Sequence, residues 1–442
     1  MQEMVGLLRD RFVGIWDAAT TGDPGDSVAA FGGTTYTRAA HRRNERALRA
    51  FVDLLSRESR RARRGRIDRE DSERRLLTAF GRFATETLGW GRAHLERLMA
   101  AGFRDAMEAF PISSRRFDPA LTLPEIYQAA RNALAMHCLQ SLLGVPVKST
   151  PSVLGYSLLY PYTDNLLDDE RLDAAAKMAF SRRLARRLAG DELRATTPHE
   201  QKVYDLVAMI EGQFPRARYP DVFDSLLAIH RAQERSLVLL RATGRLDART
   251  LVEICAEKGG TSVLADLCLI SGSVTPQQAE CAFGLGMFLQ LRDDLEDVLD
   301  DRASGLSTVF SVRRDDTLDE PTARALAIGS AVQQRLGYFD APAGEPVREL
   351  MASSLHLALT DAAASVPSLY SPGFLRELEA HSPFRLASLV EQRQRLSRAH
   401  GSLTGLLETW LTEATDGRLT ALGSRLPALS GSRQEPLPAP AH

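Results

Sequence analysis

Apolar residues recur along most of this chain at the three- and four-residue spacing of helices with one packed face. The pattern predicts helices over residues 1–20, about 37–75, 76–110, 123–143, 152–169, 171–189, 199–213, 220–241, 247–271 and 283–301. Two or more helices follow across 319–365, and a last pair ends near Trp410. A Gly/Asp/Thr-rich break spans 20–35. Pro111, Ser113-Ser114 and Pro119 bound a second break holding Arg115 and Arg116. Gly144, Gly190, Pro198, Pro215 and Pro220 punctuate the rest. Pro161 is expected to kink its helix, and Gly259-Gly260 to interrupt the 247–271 helix. Period-two alternation is almost absent, so the expected fold is all-α. One helical unit covers 1–421, with a core at about 100–370, a basic N-terminal extension over 1–100, and a flexible Pro/Ser-rich tail at 422–442.

Within this pattern the helix near residue 290 stands apart. On a helical wheel Asp293, Asp297, Asp300 and Asp301 fall within an arc of about 100°, with Asp294 and Glu296 at its edges. Gly284, Phe288, Leu291, Leu295, Val298 and Leu299 take the other side. Like charges at i,i+4 repel, and acids near a helix C-terminus oppose its dipole. Such a face calls for a cation. A continuous helix lacks the loop glycine of an EF-hand, whereas magnesium is commonly held by a few carboxylates together with substrate phosphates. A second acidic cluster, Asp164, Asp168 and Asp169, closes the 152–169 helix 129 residues earlier. Asp164 and Asp168 share a helical face, while Asp169 is turned about 140° away unless the helix end unwinds.

These two clusters resemble the metal motifs of the class I isoprenoid synthases, the superfamily of polyprenyl diphosphate synthases, squalene and phytoene synthases and class I terpene synthases. Asp293-Asp294-Leu-Glu-Asp297 is similar to the DDxxD of the elongating enzymes, and Arg292-Asp293-x-x-Glu296-Asp297 to the RDxxED of squalene/phytoene synthases. The Asp293, Asp297, Asp301 spacing resembles the second metal motif of terpene cyclases, and Lys258-Gly-Gly-Thr261 the diphosphate-binding Lys-Thr of the elongating enzymes. The first motif, DxxxDD, is closer to the squalene/phytoene form. The Arg-Arg-Gly that follows it in elongating enzymes is missing, as is their Gly-Lys-Arg-type loop. The likeness covers roughly 120–315.

The resemblance implies an all-α bundle with a central cavity and two or three Mg²⁺ ions held by Asp164, Asp168, Asp169, Asp293, Asp294, Asp297 and Asp301. Asp164, Asp168, Asp293 and Asp297 are its leading catalytic ligands. It implies an enzyme that ionises a prenyl diphosphate and cyclises or quenches the carbocation, a lyase; head-to-head coupling or chain elongation, transferase reactions, are the alternatives. A helical protein that binds prenyl diphosphate without turnover is the non-enzymatic one. Candidate substrate contacts are Lys258, Arg131, Asn132 and Arg292, with Tyr160, Phe283, Leu289 and Gln290 lining the cavity one to three turns before the acids. For Arg292 a structural ion pair is an equal reading, and for His230 and Gln233 a core role outranks a cavity role.

Composition narrows the setting without changing this reading. A net charge of −2 gives no overall nucleic-acid signature, and no nucleic-acid partner is expected. Arginines are dense over 37–75, which reads as a solvated or partner-facing surface, with RNA or anionic lipid the sharper alternative. Cys138, Cys255, Cys268 and Cys281 sit singly in apolar stretches, as reduced thiols of a cytoplasmic protein do. No run of 18 apolar residues occurs, so transient membrane contact and a homodimer are the compatible associations.

Overall fold

A computed structural model describes residues 1–19, 24–63, 69–91, 95–96, 102–168, 172–241, 246–313, 317–397 and 411. Helix is the sole regular structure among the described residues. In chain order the elements are α1 (Gln2–Ala18), α2 (Pro24–Gly32), α3 (Arg38–Arg63), α4 (Arg69–Thr87), α5 (Phe103–Phe117), α6 (Leu123–Leu142) and α7 (Pro151–Asp168). Then come α8 (Ala174–Ala189), α9 (Pro198–Gln213), α10 (Pro220–Ser236), α11 (Val238–Arg241), α12 (Ala248–Ser271), α13 (Pro276–Glu296) and α14 (Val298–Ser304). The series ends with α15 (Asp319–Arg335), α16 (Glu345–Ala364), α17 (Pro372–Ala380) and a helix over 386–397. No described helix is long and apolar enough to cross a membrane.

Local sequence sets the boundaries. Thr122 and Glu125 form a reciprocal capping box at the start of α6, and Thr275 and Gln278 do the same for α13, each with a proline in the first turn. Asp247 caps α12, accepting from the Thr250 amide at 2.8 Å, and Gly272 ends it at φ +77°. Several expected breaks are absent. Pro111 and Ser113-Ser114 lie inside α5, whose last turn holds Arg115 and Arg116; buried Phe110 and Ile112 anchor that helix across the proline. Part of the 20–35 break is α2, which buries Val28 and Phe31. α7 passes through Pro161. The expected tail, 422–442, lies outside the described residues.

α12 is the hub. Sixteen of its 24 residues are buried, which explains an apolar pattern running all round the helix rather than along one stripe. It packs against α13, α10, α1, α6 and α7. α1 and α2 join this main core through Phe12, Trp16, Val28 and Phe31. A smaller cluster around Phe384, Leu386 and Leu389 gathers side chains of α3 and α4.

Gly259 and Gly260, expected to interrupt α12, instead set its closest contact. A Cβ on Gly259 would stand 2.2 Å from the Gly286 carbonyl oxygen, and one on Gly286 would stand 2.0 Å from that of Gly259. Backbone meets backbone there, so only glycine fits. On either side, Gly260 receives the Phe283 ring and Gly284 the Phe12 ring.

Candidate active site

α13 and α14 carry the acidic run, and they are two helices. Regular helical geometry is interrupted at Asp297, which has φ −92° and ψ 6°, although its amide still donates to the Asp293 carbonyl at 3.0 Å as within a helix. The expected single helix to Asp301 is corrected accordingly: a stack of carboxylates against its own C-terminal dipole favours ending the helix early. Gly284, Phe288, Leu291, Leu295 and Val298 are buried as the wheel required, whereas Leu299, just past the break, is exposed.

The break also redistributes the acids. Asp293, Asp297 and Asp300 point outward, while Asp294 is half-buried and Asp301 buried. Gln290 donates to Asp294 at 2.7 Å, and Cys255 of α12 lies against the same carboxylate. Burial lifts Asp294 to about 7 and Asp301 to about 6, in each case with added repulsion from neighbouring aspartates. Thr308 donates weakly to Asp301 at 3.4 Å. Asp297 is raised as well, first by desolvation and then by Asp293, Glu296 and Asp300. Lys258, projecting from α12 beside the glycine contact, opposes the rise at both Asp294 and Asp301. One ammonium therefore acts on two carboxylates, Asp294 and Asp301, beside the glycine contact of α12 and α13.

Arg292 is held in ion pairs along its own helix, to Glu296 and, at 3.7 Å, to Asp293. Glu296 is reached in turn by Arg393 at 3.3 Å. Arg131, a candidate substrate contact, is exposed and leans from α6 to Asp293 at 3.5 Å. A long guanidinium stem lets it bridge two helices while its head stays wet.

Asn132, the next residue on α6, points inward. Its amide donates to Ser157 of α7 at 3.2 Å and to Asp266 of α12 at 3.1 Å. Asp266 is buried in the middle of the hub helix, and desolvation raises its pKa far above the ordinary carboxylate range. Its second oxygen, Oδ2, has no hydrogen-bond partner. Sequence reading missed this residue, although a lone acid within Val263–Ile270, otherwise wholly apolar, is a visible signal.

Asn132 also lines a small cleft of about 60 Å³. Tyr156, Leu159, Tyr160 and Thr163 of α7 form one wall, all before the helix end that bears Asp164 and Asp168. Leu226, Ile229, His230 and Gln233 of α10 face them, with Leu184 and Leu188 of α8 and Ser262 of α12 completing the lining. The lining is apolar below and polar at scattered points, as small-molecule sites are. His230 and Gln233 border the cleft, and His230 is also buried with the Ser181 hydroxyl 3.4 Å away, as the core reading expected. Burial lowers the His230 pKa, so the ring is held neutral near pH 7.

The other expected wall residues separate. Phe283 is fully buried and packs on Phe12, with ring centroids 6.1 Å apart, so it belongs to the core and not to a cavity wall. Small neighbours, Gly260 above all, draw the ring inward. Leu289 is exposed and Gln290 is engaged with Asp294. Arg183 and Arg187 pair with Glu200 and Glu211 and tie α8 to α9.

Asp164 and Asp168 lie in the last turns of α7, but their side chains, and all of Asp169, fall outside the described residues. Among the described residues no three His, Cys, Asp or Glu side chains are grouped to hold a metal ion. Comparison of the chain with known protein families, curated proteins and solved structures found no match.

Proposed function

We propose that this chain is a magnesium-dependent enzyme of the class I isoprenoid synthase type. It ionises an allylic prenyl diphosphate to a carbocation that is cyclised or quenched, with release of diphosphate. The observation that carries the reading is the crowding of carboxylate on α13 and α14: three acids there have raised pKa values, Asp294 and Asp301 with Lys258 as the one cation opposing the rise and Asp297 with Arg292. Carboxylate oxygens are the donor set magnesium prefers, and a divalent ion removes the repulsion that lifts these groups. Asp293, Asp297 and Asp301, with Asp164, Asp168 and Asp169, would hold two or three such ions, and Asp294, turned to α12, would support them. Bound magnesium supplies neutralisation of the charge that grows on the departing diphosphate.

The chain's own residues do the remainder. Lys258 and Arg131 bind diphosphate oxygens at the rim. The apolar wall of Tyr156, Leu159, Leu226 and Ile229 receives the prenyl chain and keeps water from the cation, and Tyr160 offers an aromatic face to it. Head-to-head coupling of two prenyl diphosphates is the second reading, favoured by the Arg292–Glu296 pair within an RDxxED run. The test is incubation of the purified chain with Mg²⁺ and C10 to C20 prenyl diphosphates, with and without isopentenyl diphosphate. Diphosphate release with a hydrocarbon or alcohol of unchanged carbon count is expected. A doubled hydrocarbon supports coupling, a longer linear diphosphate supports elongation, and binding without turnover leaves the carrier reading.

A further inference from the structure

The two sides of α3, a helix of 26 residues, are chemically unlike. On a helical wheel with Arg38 at zero, His41, Asn44, Val52 and Ser59 fall between about 240° and 320°, and all are buried. Arg38, Arg42, Arg46, Arg49, Arg57 and Arg60 share an arc of about 100° on the opposite side, with Arg43 beside it. Every one of these arginines is exposed. The stripe runs the length of the helix, about 33 Å from Arg38 to Arg60 at ~1.5 Å per residue.

The acids nearby are already taken. α3 has three, Glu45, Asp53 and Glu58. Glu45 is paired with Arg385 at 2.6 Å, and Asp53, the one acid within the arc, with Arg395 at 2.5 Å. Glu58 is buried on the packed side with Ser72, Arg61 and Arg75. Glu391 of the 386–397 helix is reached by Arg49 at 3.6 Å. Arg38, Arg42, Arg43, Arg46, Arg57 and Arg60 have no carboxylate partner among the described residues. Like charges at i,i+4 repel, so Arg38, Arg42 and Arg46 weaken the helix that carries them. Arginines of α8 are handled otherwise, since Arg183 and Arg187 are neutralised by Glu200 and Glu211. The outer face of α3 calls for a counter-charge from outside the chain.

Its form selects the partner. Phe51, the one phenyl ring of α3, packs inward on Phe80 and Phe83, so a nucleic-acid base finds no ring on the arc to stack against. Ala39 and Ala50 fill the gaps, and long guanidinium side chains stand out from a convex surface. Such a face fits an anionic bilayer, whose charge is spread over a plane and requires no register. The arc has no large apolar anchor, which makes the contact electrostatic and reversible.

We propose that the outer face of α3 docks the chain on an anionic lipid surface, with Arg38, Arg42, Arg46, Arg57 and Arg60 over the headgroup phosphates. Docking of this kind does not depend on the reaction proposed above.

The full chain is sedimented in EDTA with vesicles of phosphatidylcholine alone and of phosphatidylcholine with phosphatidylglycerol. The wild type should bind the anionic vesicles only, and less as salt rises. Arg42→Gln/Arg57→Gln/Arg60→Gln should bind on the order of a hundredfold more weakly, at about fivefold per arginine near the surface. The same three positions changed to Lys should bind as wild type. So should Arg182→Gln/Arg194→Gln/Arg376→Gln, which removes equal charge at exposed sites elsewhere. Equal binding to neutral vesicles or none to anionic ones overturns the proposal. So does wild-type binding by the first triple variant, equal loss in both Gln triples, or loss in the Lys triple. Tighter binding of poly(U) RNA than of the anionic vesicles gives the face to nucleic acid instead, and overturns it too.

Discussion

Gly286→Ala tests what aligns Lys258 with its acids, because it adds one methyl and touches no charge. The new Cβ would stand 2.0 Å from the Gly259 carbonyl oxygen, against 3.4 Å where ordinary contact begins, so α12 and α13 must part by about 1.4 Å at that point. The obstructing atom is backbone and cannot swing aside. Overpacking of this kind costs roughly 3 kcal/mol, the upper end of the usual range, and the helix propensity of alanine over glycine returns about 1 kcal/mol. A net loss of about 2 kcal/mol is expected from urea unfolding. Gly6→Ala is the matched control, since a Cβ there meets nothing within 4 Å; it should gain up to about 1 kcal/mol. Separation of the helices also carries Asp294 away from Lys258, so Mg²⁺-dependent diphosphate release should fall with stability in Gly286→Ala and remain intact in Gly6→Ala. Equal stability of the two variants would refute the reasoning, because the close backbone approach would then carry no energetic weight.

Asp294 governs a pH dependence. Its folded value of about 7 lies above the ordinary 3.8, so the folded state binds more protons and stability falls as pH rises between those values. Allowing for solvent at a half-buried group, the loss by pH 8 is roughly 2 kcal/mol; Asp294→Asn should flatten the unfolding profile between pH 5 and 8. Adding Mg²⁺ at pH 8 should raise the melting temperature of the wild type and not that of Asp297→Asn, as read by differential scanning fluorimetry with EDTA reversal. Arg131→Gln removes an exposed pair and should change stability by less than about 0.5 kcal/mol, yet raise KM for a prenyl diphosphate several-fold; an unchanged KM would remove Arg131 from the site. Asp266→Asn keeps shape and hydrogen bonding and should be tolerated, whereas Asp266→Ala strands Asn132 and opens a void; similar melting curves would mean the buried acid plays no structural part.

Much of the fold was legible because its signals are local. The capping residues Thr122, Asp247 and Thr275 stand directly before apolar periodicity, and prolines mark first turns at Pro198, Pro220 and Pro276. What was not legible depends on partners distant in sequence. Gly259-Gly260 reads as a helix breaker until Gly286, 26 residues on, is known to lie against it. Pro111 reads as a stop because the buried neighbours that hold α5 through it leave no trace at i±4. For the site, the wheel grouped the acids correctly by sequence and wrongly by exposure, since it assumed a helix unbroken at Asp297. Arg131 and Asn132 were singled out together, yet they point to different chemistry, one to an outer carboxylate and one to a buried acid.

The break at Asp297 has a mechanical consequence. α13 is clamped to α12 by paired glycines, but α14 is only seven residues long and joins it at a single non-helical residue. Asp293 therefore rides on a stiff rod and Asp301 on a short crank, with Asp297 as the pivot between them. Val298 and Asp301 of α14 are buried, so a ligand that drew Asp301 toward Asp293 would act on the core through the same short helix.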